Sequence, residues 1–239
     1  MKIVSFNINS IRARPHQIEH LRDTIDPDII GLQETKVNDP DFPVEIINEI
    51  GYHVEYWGQK GHYGVAILSK TEPLNTVKGF LNDTEEDQKR FIQSSFRFRN
   101  EELIVMNGYF PQGENIAHET KFPKKVKYYQ DLREHIIDLK KNYSNLIVMG
   151  DFNVSPEDID IGIGENNAKR WLREGKTSFQ PQEREMWNSI KDLGFVDTWR
   201  SIHPEDSTTY SWFDYRSRMF DQDPKRGLRI DHIMLSENL

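Results

Sequence analysis

IVMGDFN at residues 147–153 is a short apolar run that turns polar at its C-terminal end. KIVSFN at residues 2–7 and IIGLQE at residues 29–34 repeat this pattern. Short runs rich in β-branched residues predict buried strands. Because open α/β sheets place ligands beyond the carboxyl ends of their strands, these polar ends predict an oxygen-rich pocket suited to a hard divalent cation. The residues that form the polar ends are Asn7, Glu34, Asp151 and Asn153.

The composition indicates one α/β domain that spans residues 1–239. No Pro/Gly/Ser-rich linker divides the chain, which is long enough to bury a substantial core. There is no run of about 18 apolar residues that would predict a membrane span, and no basic segment before an apolar one that would predict secretion. The lack of cysteine excludes disulfides and thiolate metal sites. We therefore expect a cytoplasmic protein with no membrane partner.

The apolar patterns predict more strands than helices. Strands are predicted at residues 2–7, 29–34, 52–57, 64–69, 91–98, 102–110, 146–152, 209–213 and 229–235. Helices are predicted at residues 15–25, 42–50, 122–141 and 183–193. Asp41 is expected to cap the second helix, with Pro43 in its first turn. This irregular mixture favours two packed β-sheets flanked by helices over a simple doubly wound sheet.

Five motifs, in this order along the chain, resemble those of the exonuclease III family within the endonuclease/exonuclease/phosphatase superfamily. They are FNIN (6–9), LQETK (32–36), NGYFP (107–111), GDFN (150–153) and RID (229–231). GQKGHYGVA (58–66) and YSWFDYRS (210–217) resemble the exonuclease III branch in particular. The resemblance covers essentially the whole chain. It implies a four-layer α/β sandwich, in which two packed mixed β-sheets are flanked by helices.

The same resemblance implies a Mg²⁺-dependent DNA repair nuclease, with Mn²⁺ as the alternative ion. It would hydrolyse phosphodiesters in double-stranded DNA from 3′ ends and on the 5′ side of abasic sites, as a monomer, in base-excision repair. The metal ligands that it implies are Asn7, Glu34, Asp151 and Asn153. Such a set suits Mg²⁺, which takes few protein oxygens, keeps several waters and binds substrate phosphate.

The catalytic residues that the resemblance implies are Tyr109, Asp151, Asn153 and Asp231. Asp151 would orient or deprotonate the attacking water, and Asn153 would donate to a phosphoryl oxygen. The two lie two positions apart on one extended segment, so that both side chains would point to the same side. The hydroxyl of Tyr109 would contact the scissile phosphate, and Asp231 matches an acid that orients a histidine.

The substrate-binding residues that the resemblance implies are Arg90, Asn107, Trp212, Phe213, Arg216 and Leu228. Trp212, Phe213 and Leu228 would line a small apolar pocket that admits an extrahelical abasic deoxyribose and excludes a sugar that carries a base. Arg90 and residues 216–218 would grip the duplex, and Asn107 would support the site.

The net charge of −8 by itself argues against a nucleic-acid partner. Basic residues are nevertheless clustered at 121–127, 169–173, 216–218 and 225–229, whereas acid is concentrated elsewhere, as at 83–87. Each basic cluster alone fits a solvated face. Four of them in a chain that resembles nucleases favour contact with DNA phosphates.

One motif of the family, Ser-Asp-His-x-Pro, is absent from the chain, which stops at Leu239. Its histidine would pair with Asp231 and help to activate the water. Asp231-His232 contains the same dipeptide, but adjacent strand residues face opposite sides of a sheet and cannot both enter one pocket. We expect a chain truncated at its C-terminus, because an end just after a core strand leaves a sheet edge uncovered. A natural short form is the alternative.

Two other functions stay open at this point. The first is a catalytically impaired module that binds abasic DNA, which the absence of the histidine motif keeps open. The superfamily also contains phosphodiesterases that act on lipid or inositol phosphates, although residues 212–217 and the lack of a secretory segment count against that assignment.

Overall fold

Contacts in the computed structural model, which describes all 239 residues, group the chain into two units. Unit 1 consists of Met1–Tyr109, Asn142–Asp151 and Asn238–Leu239. Unit 2 consists of Phe110–Lys141 and Phe152–Glu237. The single domain expected over residues 1–239 stays a prediction.

Unit 1 contains two mixed β-sheets. The strands of the first are β1 (Ile3–Asn7), β2 (Ile29–Gln33), β3 (His53–Trp57) and β4 (Val65–Ser69), in the order β1-β2-β4-β3. β1 and β2 are parallel, whereas β4 runs antiparallel to both of its neighbours. The second has β5 (Asn75–Lys78), β6 (Phe91–Phe98), β7 (Glu101–Tyr109) and β8 (Asn145–Asp151) in sequential order, with only β7 and β8 parallel.

The two sheets of unit 1 pack face to face, which explains the continuous apolar runs in the sequence. Every residue of β2, β4 and β8 is buried. Strands covered on both faces select apolar residues at every position rather than at every second one. The helices α1 (Pro15–Thr24) and α2 (Val44–Ile50) cover the outer face of the first sheet, where Ile18 and Ile47 join its core. α2 ends at Gly51, whose φ of 106° is a left-handed conformation that glycine adopts without strain.

Strand register brings polar residues together in unit 1. Asn7 lies opposite Gln33 in the parallel pair of β1 and β2. Tyr109 lies opposite Asp151 in the parallel pair of β7 and β8. Because parallel strands end at the same edge of a sheet, the residues that terminate these four strands gather at two neighbouring sheet edges.

Unit 2 is largely helical. Its elements are α3 (Lys121–Leu139), α4 (Glu165–Glu174), α5 (Pro181–Lys191), β9 (Phe195–Asp197), α6 (Thr198–Ile202) and β10 (Asp231–Ser236). β9 and β10 pair antiparallel, and α3 packs against α5. A small core of Ile163, Phe179, Leu228 and Ile230 lies beside α4. None of the protein's helices has both the length and the apolar character that a membrane span requires.

The predicted fold class of two packed mixed sheets flanked by helices is confirmed. Four helices and eight strands occur within about two residues of their predicted positions. The predicted strand at 209–213 is wrong, since only Trp212 makes an isolated bridge there. Asp41 is not a helix cap either, because it lies in a short 3₁₀ turn and α2 begins after Pro43. The sequence analysis missed β5, β9, α4 and α6.

Candidate active site

An amide and two carboxylates meet in unit 1. Asn7 ends β1, Glu34 follows β2 and Asp151 ends β8. The Asn7 Nδ2 atom donates to Glu34 Oε1 at 2.9 Å and to Asp151 Oδ2 at 3.2 Å. The strand-end reasoning therefore grouped these three residues correctly.

Lys36 holds the Glu34 carboxylate from the side opposite Asn7. Its Nζ lies 2.7 Å from Glu34 Oε2 and donates to Asn9 Oδ1 at 2.6 Å. Burial alone would raise the pKa of Glu34, but hydrogen bonds from Lys36, Asn7 and Tyr109 outweigh it and bring that pKa below its ordinary value. The carboxylate is therefore ionised at neutral pH. The sequence analysis missed Lys36, although it lies in the LQETK motif.

Tyr109 lies at the end of β7 with its hydroxyl hydrogen-bonded to Glu34. Burial, reinforced by the negative charges of Glu34 and Asp151, raises the pKa of Tyr109 far above its ordinary value. The phenol consequently keeps its proton and can act as a hydrogen-bond donor throughout the neutral range.

The donor set in unit 1 fits a hard cation. No group of three or more His, Cys, Asp or Glu side chains in the protein is arranged to hold a metal. Mg²⁺ needs only one or two carboxylates and completes its shell with water and substrate oxygens, whereas zinc sites need three or four N, S or O ligands. Asn7, Glu34 and Asp151 are therefore the residues of unit 1 that could hold Mg²⁺.

Asn107 is fully buried between the sheets of unit 1. Its Nδ2 donates to the carbonyl oxygens of Leu32 and Ala66, each at 2.9 Å, and its Oδ1 accepts from Gln33 Nε2 at 2.6 Å. Gly31 permits this approach, since a Cβ there would meet the Asn107 side chain at 2.8 Å. Asn107 thus joins β2, β4 and β7 near the strand ends, and its assignment to substrate binding stays a prediction.

Arg90 is also more enclosed than a residue that grips DNA from the surface. It is 8% exposed, and its NH1 donates to the carbonyl oxygen of Tyr109 at 2.9 Å. Its Nε donates to Gln88 Oε1 at 2.7 Å. The contacts of Arg90 direct it towards Tyr109, and contact with the duplex stays a prediction.

Two further predicted catalytic residues lie in unit 2. Asn153 has a φ of 53° and donates from Nδ2 to the carbonyl oxygen of Phe110 at 3.0 Å. Lys125, which is fully buried and paired with Glu183, donates to the carbonyl oxygen of Asn153 at 2.9 Å. Asp231 begins β10, and its backbone N–H donates to Ser211 Oγ at 3.0 Å.

The predicted opposite orientation of Asp231 and His232 is confirmed, because Asp231 is partly exposed and His232 is buried. His232 Nε2 bonds to the carbonyl oxygen of Val154 at 2.8 Å, and its Nδ1 bonds to Arg229 NH1 at 2.9 Å. A guanidinium can only donate, so Nδ1 accepts and Nε2 carries the proton. His232 is therefore a neutral core residue.

Arg229 joins two buried aspartates in unit 2. Its Nε bonds to Asp160 Oδ1 at 2.7 Å, and its NH2 bonds to Asp197 Oδ2 at 2.8 Å. Burial alone would raise the pKa of Asp197, but the nearby positive charge holds it below its ordinary value. The sequence analysis missed this buried ion cluster.

His232 makes a pH-dependent contribution to stability. Burial, followed by the charge of Arg229, lowers the pKa of His232 from 6.5 to about 4. Because the folded state resists protonation, this contribution is complete above the unfolded pKa and is lost as pH falls towards about 4. The loss amounts to roughly 3 kcal/mol, at about 1.4 kcal/mol per pKa unit.

His232→Gln removes the titrating group and keeps a side-chain donor. The gap in unfolding free energy between wild type and His232→Gln is expected to shrink as pH falls from about 6.5 to about 4. Urea denaturation at a series of pH values measures this gap. A gap independent of pH would contradict the neutral assignment of His232.

The three expected pocket residues lie together in unit 2. Leu228 is 1% exposed, and its backbone pairs with that of Trp212. Trp212 and Phe213 are partly buried, and the ring of Phe213 meets that of Phe220 edge-on with centroids 5.1 Å apart. Arg216 is exposed in the turn that follows, where its backbone N–H donates to Asp214 Oδ1.

Comparison with known proteins places this geometry among nucleases. Residues 4–239 match the family described as "Endonuclease/Exonuclease/phosphatase family". Exodeoxyribonuclease III of Haemophilus influenzae is 52% identical over 239 residues, which are 100% of this chain and 89% of that protein.

Two solved structures share the fold. A 3′ phosphatase from Neisseria, bound to product DNA hairpin, superposes with a TM-score of 0.89 at 33% identity, over 100% of this chain and 87% of its own. An AP endonuclease from Archaeoglobus fulgidus superposes with a TM-score of 0.86 at 34% identity, over 100% of this chain and 88% of its own.

Proposed function

This chain belongs to the endonuclease/exonuclease/phosphatase family, and on that basis we propose that it is a DNA repair nuclease of the exodeoxyribonuclease III type. It hydrolyses phosphodiester bonds in double-stranded DNA, removing nucleotides from 3′ ends and incising beside abasic sites. The observation that carries the proposal is the convergence of Asn7, Glu34 and Asp151 at strand ends in unit 1, with Tyr109 bonded to Glu34.

Asn7, Glu34 and Asp151 would hold Mg²⁺, or Mn²⁺ in its place. A divalent ion held by these residues would supply polarisation of the scissile phosphate and stabilisation of the leaving 3′ oxygen. The Glu34 carboxylate, kept ionised by its contacts with Lys36 and Asn7, supplies negative charge that would attract the cation. Asn153, implied as a fourth ligand, would bind the metal through Oδ1, because an amide nitrogen is not a metal ligand. One of the two N–H groups of its amide donates to the carbonyl oxygen of Phe110.

The proposed role of Tyr109 follows from its protonation state. The Tyr109 phenol retains its proton. When substrate binds, its single O–H turns from Glu34 and donates to a phosphoryl oxygen, where charge develops in the transition state. Asp151 accepts the proton of the attacking water at a carboxylate oxygen. We assign to Asn153 the donation of a hydrogen bond to the phosphate, and to Asp231 the orientation of a proton-transfer partner.

We propose abasic sites and 3′ ends of duplex DNA as the preferred substrates. The partly exposed rings of Trp212 and Phe213, beside the buried side chain of Leu228, support recognition of a deoxyribose without a base, because a base-bearing sugar needs more room. Exposed Arg216 supplies positive charge for backbone phosphates. A monomeric state and a cytoplasmic location belong to the same proposal, and light scattering after size-exclusion chromatography tests the first.

The test uses the chain with three probes: a duplex with a tetrahydrofuran abasic analogue, an intact duplex with a recessed 3′ end, and an inositol phosphate. The expected result is cleavage of both DNA probes with Mg²⁺, no cleavage with EDTA, and no phosphate release from the inositol probe. Tight binding of the abasic duplex without cleavage would identify a binding module instead. Hydrolysis of the inositol phosphate alone would identify a different phosphodiesterase.

Trp212→Ala tests the pocket. It is expected to lower incision at an abasic analogue by roughly 10- to 200-fold, because lost apolar contact is worth about 1–3 kcal/mol, while 3′ trimming changes less. Trp171→Ala is the matched control, since Trp171 is also partly buried against the core of Ile163 and Phe179. Equal losses in both assays for Trp212→Ala would make Trp212 a core residue only.

A further inference from the structure

We propose that Tyr63 is a positioning residue that fixes the hydroxyl of Tyr109 through Arg90. This inference rests on the proposed function, because Tyr109 is catalytic only within it. Tyr63 belongs to the GQKGHYGVA segment, to which none of the roles proposed above is assigned. All of the residues that the argument uses lie in unit 1.

The guanidinium of Arg90 contacts two tyrosine rings. Its Cζ is 4.2 Å from the ring centre of Tyr63 and 4.5 Å from that of Tyr109. The two rings are tilted by 42° with centres 6.4 Å apart, so that each of the three groups contacts the other two. Cations attract aromatic faces at such distances, and the attraction strengthens when water is excluded. With Arg90 only 8% exposed, the three groups form one packed cluster.

Hydrogen bonds fix the geometry of this cluster. Gln88 bridges Tyr63 and Arg90, since its Nε2 donates to the Tyr63 hydroxyl at 2.9 Å and its Oε1 accepts from Arg90 Nε at 2.7 Å. Arg90 is also bonded to Tyr109: its NH1 donates to the Tyr109 carbonyl oxygen, and the Tyr109 N–H donates to the Arg90 carbonyl oxygen at 2.8 Å. Arg90 is thus held through both its guanidinium and its backbone, so that a shift of Arg90 would move Tyr109.

The backbone of Tyr63 is itself tied to the carboxylate side of the site. Its carbonyl oxygen accepts from the N–H of Lys36 at 2.9 Å, and the Gly64 carbonyl oxygen accepts from the N–H of Thr35. Lys36 in turn pairs with Glu34. Tyr63 has a φ of 57°, a conformation that is uncommon outside glycine and is retained here by these bonds.

Tyr63 therefore connects Tyr109 and Glu34, which are hydrogen-bonded to each other. One route runs from its ring through Arg90 to Tyr109, and the other runs from its backbone through Lys36 to Glu34. Misplacement of a reacting group by about 1 Å can cost on the order of 100-fold in rate. Loss of the Tyr63 ring should therefore lower kcat by a larger factor than it weakens substrate binding.

The experiment is a double-mutant cycle on the full chain, with cleavage of the abasic duplex as the measurement. Tyr63→Leu is compared with wild type, and Tyr63→Leu/Tyr109→Phe is compared with Tyr109→Phe. Tyr63→Leu is expected to lower kcat by about tenfold or more and to change KM by less than about twofold. In the Tyr109→Phe background the same change should cost less than about twofold, because no hydroxyl is left to position.

Two companion variants separate positioning from simple stability. Tyr63→Phe keeps the ring and is expected to restore most of the turnover. Tyr143→Leu removes the same atoms from a partly buried tyrosine before the N-terminal end of β8, and it should leave kcat unchanged. If Tyr63→Leu fails to fold, Gln88→Ala enters the same cycle, since it removes two hydrogen bonds and no ring.

Equal losses from Tyr63→Leu in both backgrounds would overturn the positioning role while leaving the proposed function intact. Full activity of Tyr109→Phe would overturn this inference together with the assigned role of Tyr109. Absence of Mg²⁺-dependent cleavage by the wild-type chain would overturn the proposed function itself.

Discussion

Glu34→Gln is expected to lower kcat/KM for an abasic duplex by about a thousandfold while leaving the fold intact. The substitution keeps the shape and removes the charge that Lys36, Asn7 and Tyr109 stabilise in the ionised form. The cation site then keeps only one of its two carboxylates, that of Asp151. A bound cation contributes several kcal/mol to stabilisation of the transition state, so weaker binding of the cation lowers the rate strongly. The measurement is cleavage rate as a function of Mg²⁺ concentration.

Glu45→Gln is the matched control, because Glu45 lies exposed on α2 and the same chemical change there should have no effect. Asn7 and Lys36 contact separate oxygens of the Glu34 carboxylate, and the new amide has one oxygen, so it keeps only one of these two contacts. The melting temperature of Glu34→Gln is expected to fall only modestly, and its circular-dichroism spectrum should match that of wild type. An unchanged magnesium dependence in Glu34→Gln would refute the metal assignment.

Arg229→Met is expected to lower the free energy of unfolding by about 3–5 kcal/mol. It leaves Asp160 and Asp197 buried, at 0% and 4% side-chain exposure, without their shared cation. Removing one partner of a buried ion cluster costs far more than the cluster contributes, because the remaining charges stay desolvated. Urea denaturation followed by tryptophan fluorescence measures the loss.

Arg184→Met is the comparison variant, since Arg184 pairs with Asp158, whose side chain is 92% exposed. Exposed pairs contribute about 0–1 kcal/mol. The loss in Arg229→Met should diminish at acid pH, where Asp197 can accept a proton once the cation that holds its pKa down is gone. Losses of similar size in both variants would show that the charges around Arg229 are solvated and that the buried cluster is not a stability element.

The strands β2, β4 and β8 could be predicted because each is buried on both faces. β2 and β8 have no polar alternation to confuse the pattern, so both their bounds and their polar ends were visible in the sequence. The missed elements lack such a signal. α4 has no buried residue, β5 has exposed ends, and β9 is only three residues long.

Some residues of the candidate site were likewise predictable from the sequence, and others were not. Strand-end reasoning grouped Asn7, Glu34 and Asp151, because parallel register decides where a strand's last side chain lies. The contacts of Lys36 and Tyr63 depend on left-handed turns at non-glycine residues, which no residue pattern signals. The partners of Arg229 lie 69 and 32 positions away, a separation that only the folded chain resolves.

The interleaving of the two units along the chain has a consequence for synthesis on the ribosome. β7 ends at Tyr109, but its parallel partner β8 is translated only after α3, which belongs to the other unit. At a translation rate of about 5–20 residues per second, β7 stays without this neighbouring strand for several seconds. During that interval a nascent sheet displays unpaired backbone groups to other chains. The interval between the synthesis of β7 and that of β8 is therefore a period in which the nascent chain is exposed to wrong strand pairing.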